Sequence, residues 1–317
     1  MARNGDAEGS RLDEAARAGW LYYVAGNTQD EIAQKLRISR QTAQRLVALA
    51  ISEKLIKVRL DHPIASCLTL AEALSKRFGL VHCDVVPSDP ASASTVLGIA
   101  EAAAAHLERI LRAPAPTILA LGTGRTIRAS IDQLPPMDCS QHKIVSLTGN
   151  IAPDGSASFY DVITKISDTV KAPHFPMPVP VVASTAEEKE ALLKLKPVKH
   201  VRELARRAEV TMIGVGSLGD HAPMFEDGFI TRDELRALRK AGAVGEIVGW
   251  AYDRDGNILD GLTNERVCSV PLRRAGPGQV VGVAMGSAKV MAIRAALGGQ
   301  LIRALITDEA TATALLH

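Results

Sequence analysis

Cysteine is scarce in this chain of 317 residues, and its spacing carries no chemistry. Cys67, Cys83, Cys139 and Cys268 stand far apart, with no CxxC pair and no close run of metal ligands. Four reduced thiols are the simplest account, which argues against a disulfide framework or a zinc module, so no metal is expected. No apolar run approaches the length of a bilayer span. The opening "MARNGDAEGSR" lacks the apolar core of a signal peptide and reads as a short disordered tail. The expectation is a cytoplasmic protein with no membrane partner. Net charge is only +2, so no overall field marks a nucleic-acid binder. Catalytic signatures are missing as well: there is no GxSxG elbow, no HExxH and no paired Cys/His. His106, His142, His174, His200 and His221 lie far apart, and each reads as structural or exposed. No catalytic residue and no cofactor are expected.

What is present divides into two parts. An apolar fraction of 47% over this length supports a sizeable core and two domains. Residues 1–60 carry ten Lys/Arg against seven Asp/Glu, and the excess falls at residues 40–60, where Arg40, Arg45, Lys54, Lys57 and Arg59 face Glu53 alone. Such a local basic patch suits phosphate contact. Residues 11–26 repeat apolar positions at helical spacing, with Leu12, Ala15, Ala16, Trp20 and Tyr23 near one face and Gly26 placed to stop the helix. Thr28 with Glu31 three residues on is a capping box for a second helix. Ser39 caps a third, whose inner face is Ala43, Leu46, Val47 and Ala50. Small Ala33 and Ala43 sit where the two helices would cross, and Arg37 falls where a helix-turn-helix needs a left-handed residue, usually glycine. The third helix would present Ser39, Arg40, Gln41, Thr42, Gln44 and Arg45 outward, residue types that read base edges and phosphates. "LIKVRL" then alternates like a short strand, and Asp61–Pro63 reads as the break between domains 1–60 and 61–317.

Beyond the break, short apolar strands ("CDVVP", "TILALG", "KIVSLTG", "VTMIGVG", "QVVGVAMG") alternate with helical segments. Strand, glycine loop and helix in repetition give an α/β domain with a mostly parallel sheet. The four prolines of "PHFPMPVP" argue for an extended connection there and against a central strand. In such a sheet the loops at the carboxyl ends of strands bind ligands. "LGTGRTI" places Gly122, Thr123, Gly124, Arg125 and Thr126 at a helix start, where backbone N–H groups approach an anion. Its ending is neither GxGxxG nor GK[ST], so a phosphate on a small molecule fits better than a nucleotide. "SLTGNIAPDGS", "GVGSLGD" and "GVAMGSAKV" are further loops, and the last sets Lys289 beside a glycine. "AYDRDGNIL", with Asp253, reads as a hairpin turn.

Together the two parts resemble the SorC (DeoR-type) family of sugar-responsive transcriptional regulators. The resemblance covers nearly the whole chain and is most specific in "GAVGEIVGWAYDRDGN". It implies a doubly wound effector domain similar in fold to sugar-phosphate isomerases and deaminases, acting as a sensor and not as an enzyme. It implies a homo-oligomer, a tetramer, on operator double-stranded DNA, with a phosphorylated sugar as effector. Carried over by motif, Gly122, Thr123, Gly124, Arg125, Thr126 and Lys289 would hold the phosphate. Thr148, Gly149, Asn150, Gly216, Ser217, Glu246 and Asp253 would lie near the sugar. "LTGN" lacks the double glycine of some relatives, so a polyol or polyol phosphate is an alternative effector. An isomerase-like or deaminase-like enzyme with an added helix-turn-helix, or a first domain that docks a protein, are the competing expectations.

Overall fold

The computed structural model describes residues 3–53, 55–56, 64–89, 94–152, 155, 162–271 and 278–317. Contacts divide the chain into two units, Met1–His62 and Pro63–His317.

The first unit holds three helices, α1 (Arg3–Tyr23), α2 (Gln29–Leu36) and α3 (Arg40–Ser52). Helix α1 starts at Arg3, so most of the segment expected as a disordered tail is helical. Its inner face also differs from the expected one. Ala15 and Ala18 are buried, whereas Trp20 is 54% and Tyr23 42% exposed. The reason is a close crossing with α3: a Cβ on Gly19 would lie 2.7 Å from the Ala50 Cβ, so only small residues fit between the axes. The capping box forms as expected. Thr28 N–H donates to Glu31 Oε2 at 2.7 Å, and Glu31 N–H donates to Thr28 Oγ1 at 3.3 Å. Between α2 and α3, Arg37 adopts the left-handed conformation (φ 56°), which costs a non-glycine residue about 1 kcal/mol. Ile38 N–H donates to the Ala33 carbonyl across this turn at 2.9 Å, and Ser39 Oγ then caps α3 through Thr42 N–H at 3.1 Å. Ile32, Ala33, Ala43, Leu46, Val47 and Ala50 close the core of the unit. Most of the strand expected at "LIKVRL" lies outside the described residues.

The second unit alternates α4 (Ala65–Phe78), β1 (His82–Val86), α5 (Ser94–Leu111), β2 (Ile118–Leu121), α6 (Arg125–Asp132), β3 (Lys143–Ile151), α7 (Ile163–Val170) and β4 (His174–Pro180). It continues with α8 (Ala186–Lys194), α9 (Lys196–Arg206), β5 (Val210–Gly214), β6 (Gly216–Ser217), α10 (Pro223–Glu226), α11 (Arg232–Lys240), β7 (Gly245–Ile247) and β8 (Trp250–Tyr252). It ends with β9 (Gln279–Val283), α12 (Val290–Gly298), β10 (Ala304–Asp308) and α13 (Glu309–Leu316). Seven strands form one sheet in the order β1-β10-β9-β5-β2-β3-β4, and every neighbouring pair is parallel. Alternate side chains serve opposite faces. Leu119, Met212 and Ile306 pack with α5, α6 and α7, while Ala120, Ile213 and Leu305 pack with α9, α12 and α13. The fold is thus the doubly wound α/β arrangement expected.

Two local expectations need correction. "PHFPMPVP" is a strand, β4, at the sheet edge. An edge strand needs ladder donors on one side only, and Pro176, Pro178 and Pro180, at alternate positions, remove N–H groups from a single side. Thr148, Gly149 and Asn150 were expected in a loop but continue β3 as far as Ile151, with register shifts against β4 around Gly149. A Cβ at Gly149 would meet the Val179 carbonyl oxygen at 2.2 Å, so glycine is what lets the strands approach. A smaller antiparallel sheet, β6-β7-β8, follows the main one.

Replacing Thr28 by Ala removes both capping bonds and should destabilise the first unit by about 1 kcal/mol. Hydrogen exchange would show this as faster exchange at the α2 and α3 amides. Unchanged protection would mean that the cap contributes nothing.

Candidate functional site

The strand order sets the place of the site. From β2 the chain moves outward through β3 to β4, then returns to the other side of β2 as β5 and continues to β9 and β10. The connections after β2 and β5 therefore depart in opposite directions and leave a crevice at their carboxyl ends, the usual ligand position in open α/β sheets. A cavity of about 490 Å³ opens there. Its floor is made by the loops after three strands: Thr123–Ile127 after β2, Val215–Ser217 after β5, and Met285–Lys289 after β9. Thr148 enters from β3, and Glu246, Val248 and Gly249 enter from the small sheet.

Of the residues expected to hold a phosphate, Thr123, Gly124, Arg125, Thr126 and Lys289 line the cavity. Gly122 lies buried beneath it, and a Cβ there would press on Ile213 and Val248 at 3.0 and 3.1 Å. Gly124 (φ 130°) and Gly286 (φ 107°) both adopt positive φ where their loops turn into helix, a conformation glycine takes without steric cost. Of the residues expected near a sugar, Thr148, Gly216, Ser217 and Glu246 line the wall, and the Thr148 hydroxyl has no partner among the described residues. Gly149, Asn150 and Asp253 do not. Gly149 is committed to the β3–β4 contact. Asn150 lies further along β3. Asp253 Oδ1 accepts from the N–H groups of Asp255 and Asn257 at 2.9 and 2.8 Å, so it builds the turn after β8. This position is corrected to a structural one.

Glu246 and Lys289 give the cavity its charge. Burial pushes the Glu246 carboxyl above the usual carboxylate range, against the N–H of Gly249, which donates to Oε2 at 2.8 Å, and the nearby Lys289 ammonium. Burial pushes Lys289 below its ordinary value, opposed by Glu246 and reinforced by Arg125. Two glycines make room for this arrangement. A Cβ on Gly216 would fall 1.9 Å from Glu246 Oε1, and one on Gly245 would fall 2.5 Å from the Tyr252 hydroxyl oxygen. That hydroxyl donates to the Ala292 carbonyl at 3.0 Å and ties the small sheet to α12. The β7–β8 turn is strained, because Val248, a β-branched residue, sits at φ 48°. Strain of this kind collects at ligand sites, where surrounding structure enforces it.

The sequence reading missed the segment that follows β6. Asp220, His221, Pro223, Met224, Asp227 and Phe229 border the cavity. Arg125 Nη2 lies 3.9 Å from Glu226 Oε2 and 3.7 Å from Asp227 Oδ1, so two carboxylates of this segment face the arginine of the first glycine loop. Sequence spacing gave no signal, since the partners are a hundred residues apart. In the first unit, Ser39, Arg40, Gln41, Thr42, Gln44 and Arg45 are all exposed along α3. Arg40 Nε lies 3.4 Å from Asp30 Oδ1, and Ser39 and Thr42 share a hydroxyl contact of 2.8 Å.

Residues 62–317 match the family described as "Putative sugar-binding domain". The chain is similar to the erythritol catabolism regulatory protein EryD of Brucella abortus, with 32% identity over 302 residues that span 95% of this chain and 96% of the relative. It is also similar to the transcriptional regulator LsrR of Klebsiella pneumoniae, with 32% identity over 307 residues, 95% of this chain and 92% of the relative. Among solved structures, the full-length sorbitol operon regulator SorC of Klebsiella pneumoniae superposes with a TM-score of 0.73 at 25% identity, over 96% of this chain and 98% of that one.

A raised carboxyl pKa means that folded protein holds this proton more readily than unfolded chain. The Glu246 contribution to stability is therefore full below the unfolded pKa and declines as pH rises through the folded one. Glu246→Gln keeps an acceptor for Gly249 N–H and should flatten that decline in denaturant unfolding measured across the acid-to-neutral range. An unaltered pH profile would show that Glu246 is not buried as a charge.

Proposed function

The chain belongs to the SorC/DeoR-type family of sugar-responsive transcriptional regulators, and from that premise we propose which residues sense the effector and which read the operator. It is a regulator and not an enzyme, so the isomerase-like alternative falls away. In our reading residues 61–317 bind a phosphorylated polyol or sugar and assemble the homo-oligomer, a tetramer. Residues 1–60 bind double-stranded operator DNA in the cytoplasm.

The observation that carries the effector assignment is the convergence of two glycine loops on one cavity, with Arg125 and Lys289 contributed by those loops. Backbone N–H groups at helix starts and two cations match a phosphate dianion. Thr148, Ser217 and Glu246 supply hydroxyl-binding groups on the same cavity. A linear polyol chain suits this set, and two of the similar proteins are named for erythritol and sorbitol, both polyols. An arriving phosphate would compete with Glu226 and Asp227 for Arg125 and so alter the hold on α10. That gives the effector a differential contact between two states, which any ligand-driven shift requires. At the other end, Ser39, Arg40, Gln41, Thr42, Gln44 and Arg45 form the exposed edge of a helix-turn-helix.

A thermal-shift panel of polyols, polyol phosphates and sugar phosphates tests the effector. One phosphorylated member should stabilise the protein, by roughly 2.7 kcal/mol at a hundred times its dissociation constant. Lys289→Glu should abolish the response, and a full response in that variant would displace the phosphate from this loop. For the DNA, Arg40→Ala should cost roughly 1–3 kcal/mol of operator affinity and relax specificity at one base pair. Equal retardation of wild type and variant in a gel shift at fixed salt would remove Arg40 from the interface.

A further inference from the structure

Three side chains gather away from the cavity, at the β1 edge of the main sheet. His82 and Asp84 are two residues apart on β1 and so share a face. Val86, next in the series, packs with Ile99, Ala103 and Leu107 of α5, whereas Cys83 and Val85 pack on the opposite layer. The face bearing His82 and Asp84 is thus the one that α5 covers, and α5 contributes His106 to it. His82 Nε2 lies 2.9 Å from Asp84 Oδ2, and the His82 and His106 rings are 4.6 Å apart between centroids. One ligand atom from each of the three residues lies within 4.8 Å of the other two.

His106 makes this more than a histidine–aspartate pair. It is only 5% exposed, and neither ring nitrogen has a hydrogen-bond partner among the described residues. A buried polar group normally finds a partner, and one without it calls for an explanation. His142, also buried, shows the ordinary solution: its ring nitrogens meet Thr117 N–H at 3.1 Å and the Leu111 carbonyl at 3.0 Å.

We propose that His82, Asp84 and His106 bind a divalent transition-metal ion of the zinc class, which pins the edge strand β1 to α5. Two imidazoles and one carboxylate form a ligand set that suits Zn²⁺ or Co²⁺ and leaves a coordination position for water. Ligands about 2.1 Å from a common ion lie at most about 4.2 Å apart, so the set closes with side-chain shifts on the order of 1 Å. Arg109, one turn along α5, is exposed and acts electrostatically on Asp84 and His106. Its charge opposes the ion's and sets the affinity below that of a closed structural site.

The test uses full-length, tag-free protein stripped with chelator. Titration with Co²⁺ should give a saturable visible spectrum of low-coordinate cobalt at one equivalent per chain. A saturating excess of Zn²⁺ should raise the thermal midpoint by about 5 °C. His82→Ala and Asp84→Asn, both at partly exposed positions, should lose both responses. His106→Leu should lose them too and, if it folds, melt higher than the metal-free wild type, since it replaces an unpartnered polar ring with an apolar side chain. Absence of a saturable cobalt spectrum in the wild type, or an unchanged titration in His82→Ala, overturns the proposal.

Discussion

All seven strands of the main sheet run in one direction, and the geometry of the second unit depends on that constraint. A parallel neighbour can be reached only through a crossover, so helices must cover both faces. Each face then needs its own apolar layer, which Leu119 and Ala120 begin on opposite sides of β2. The same rule brings every carboxyl strand end to one edge. Reversal of the winding between β2 and β5 opens that edge into a crevice. The cavity is thus a consequence of topology before any side chain is chosen.

The side chains then convert a crevice into a charged site. Glu246 reaches the cavity because Gly216 offers no Cβ in its path, and its carboxylate is held by the backbone of the strained Val248–Gly249 turn. Lys289 stands opposite on the loop after β9, partly desolvated. Charges kept from water are poorly screened, so each is sensitive to whatever enters between them. Arg125 differs. It is exposed and faces two carboxylates at distances longer than a close ion pair, an arrangement that a competing anion can replace at small cost. Fixed charge within and exchangeable charge at the rim suit a sensor, which must release its ligand as readily as it binds it.

Features governed by near neighbours were legible in the sequence. The Thr28–Glu31 box, the Ser39 cap, the left-handed Arg37 and the strand–glycine–helix junction at Gly122–Thr126 all follow from spacings of a few residues. Misplaced features depended on distant partners. Trp20 and Tyr23 suit a helix interior by period, yet α1 turned Ala15 and Ala18 inward because Gly19 meets Ala50 of α3. Asn150 and Asp253 carry sugar-binding chemistry, but strand continuation claimed one position and a turn claimed the other. His82, Asp84 and His106 gave no signal, because an i, i+2 pair on a strand becomes a cluster only when a particular helix face lies across it.

By itself, then, the sequence determined the local conformations, the division into a helical and an α/β part, and the glycine loops able to approach an anion. These rest on φ preferences, capping and apolar period, which act within a few residues. Only the tertiary structure decided which loops share a cavity, that Glu246 faces Lys289, and that α10 opposes Arg125. Those meetings depend on strand order and helix approach, and both are set by packing between segments far apart in the chain.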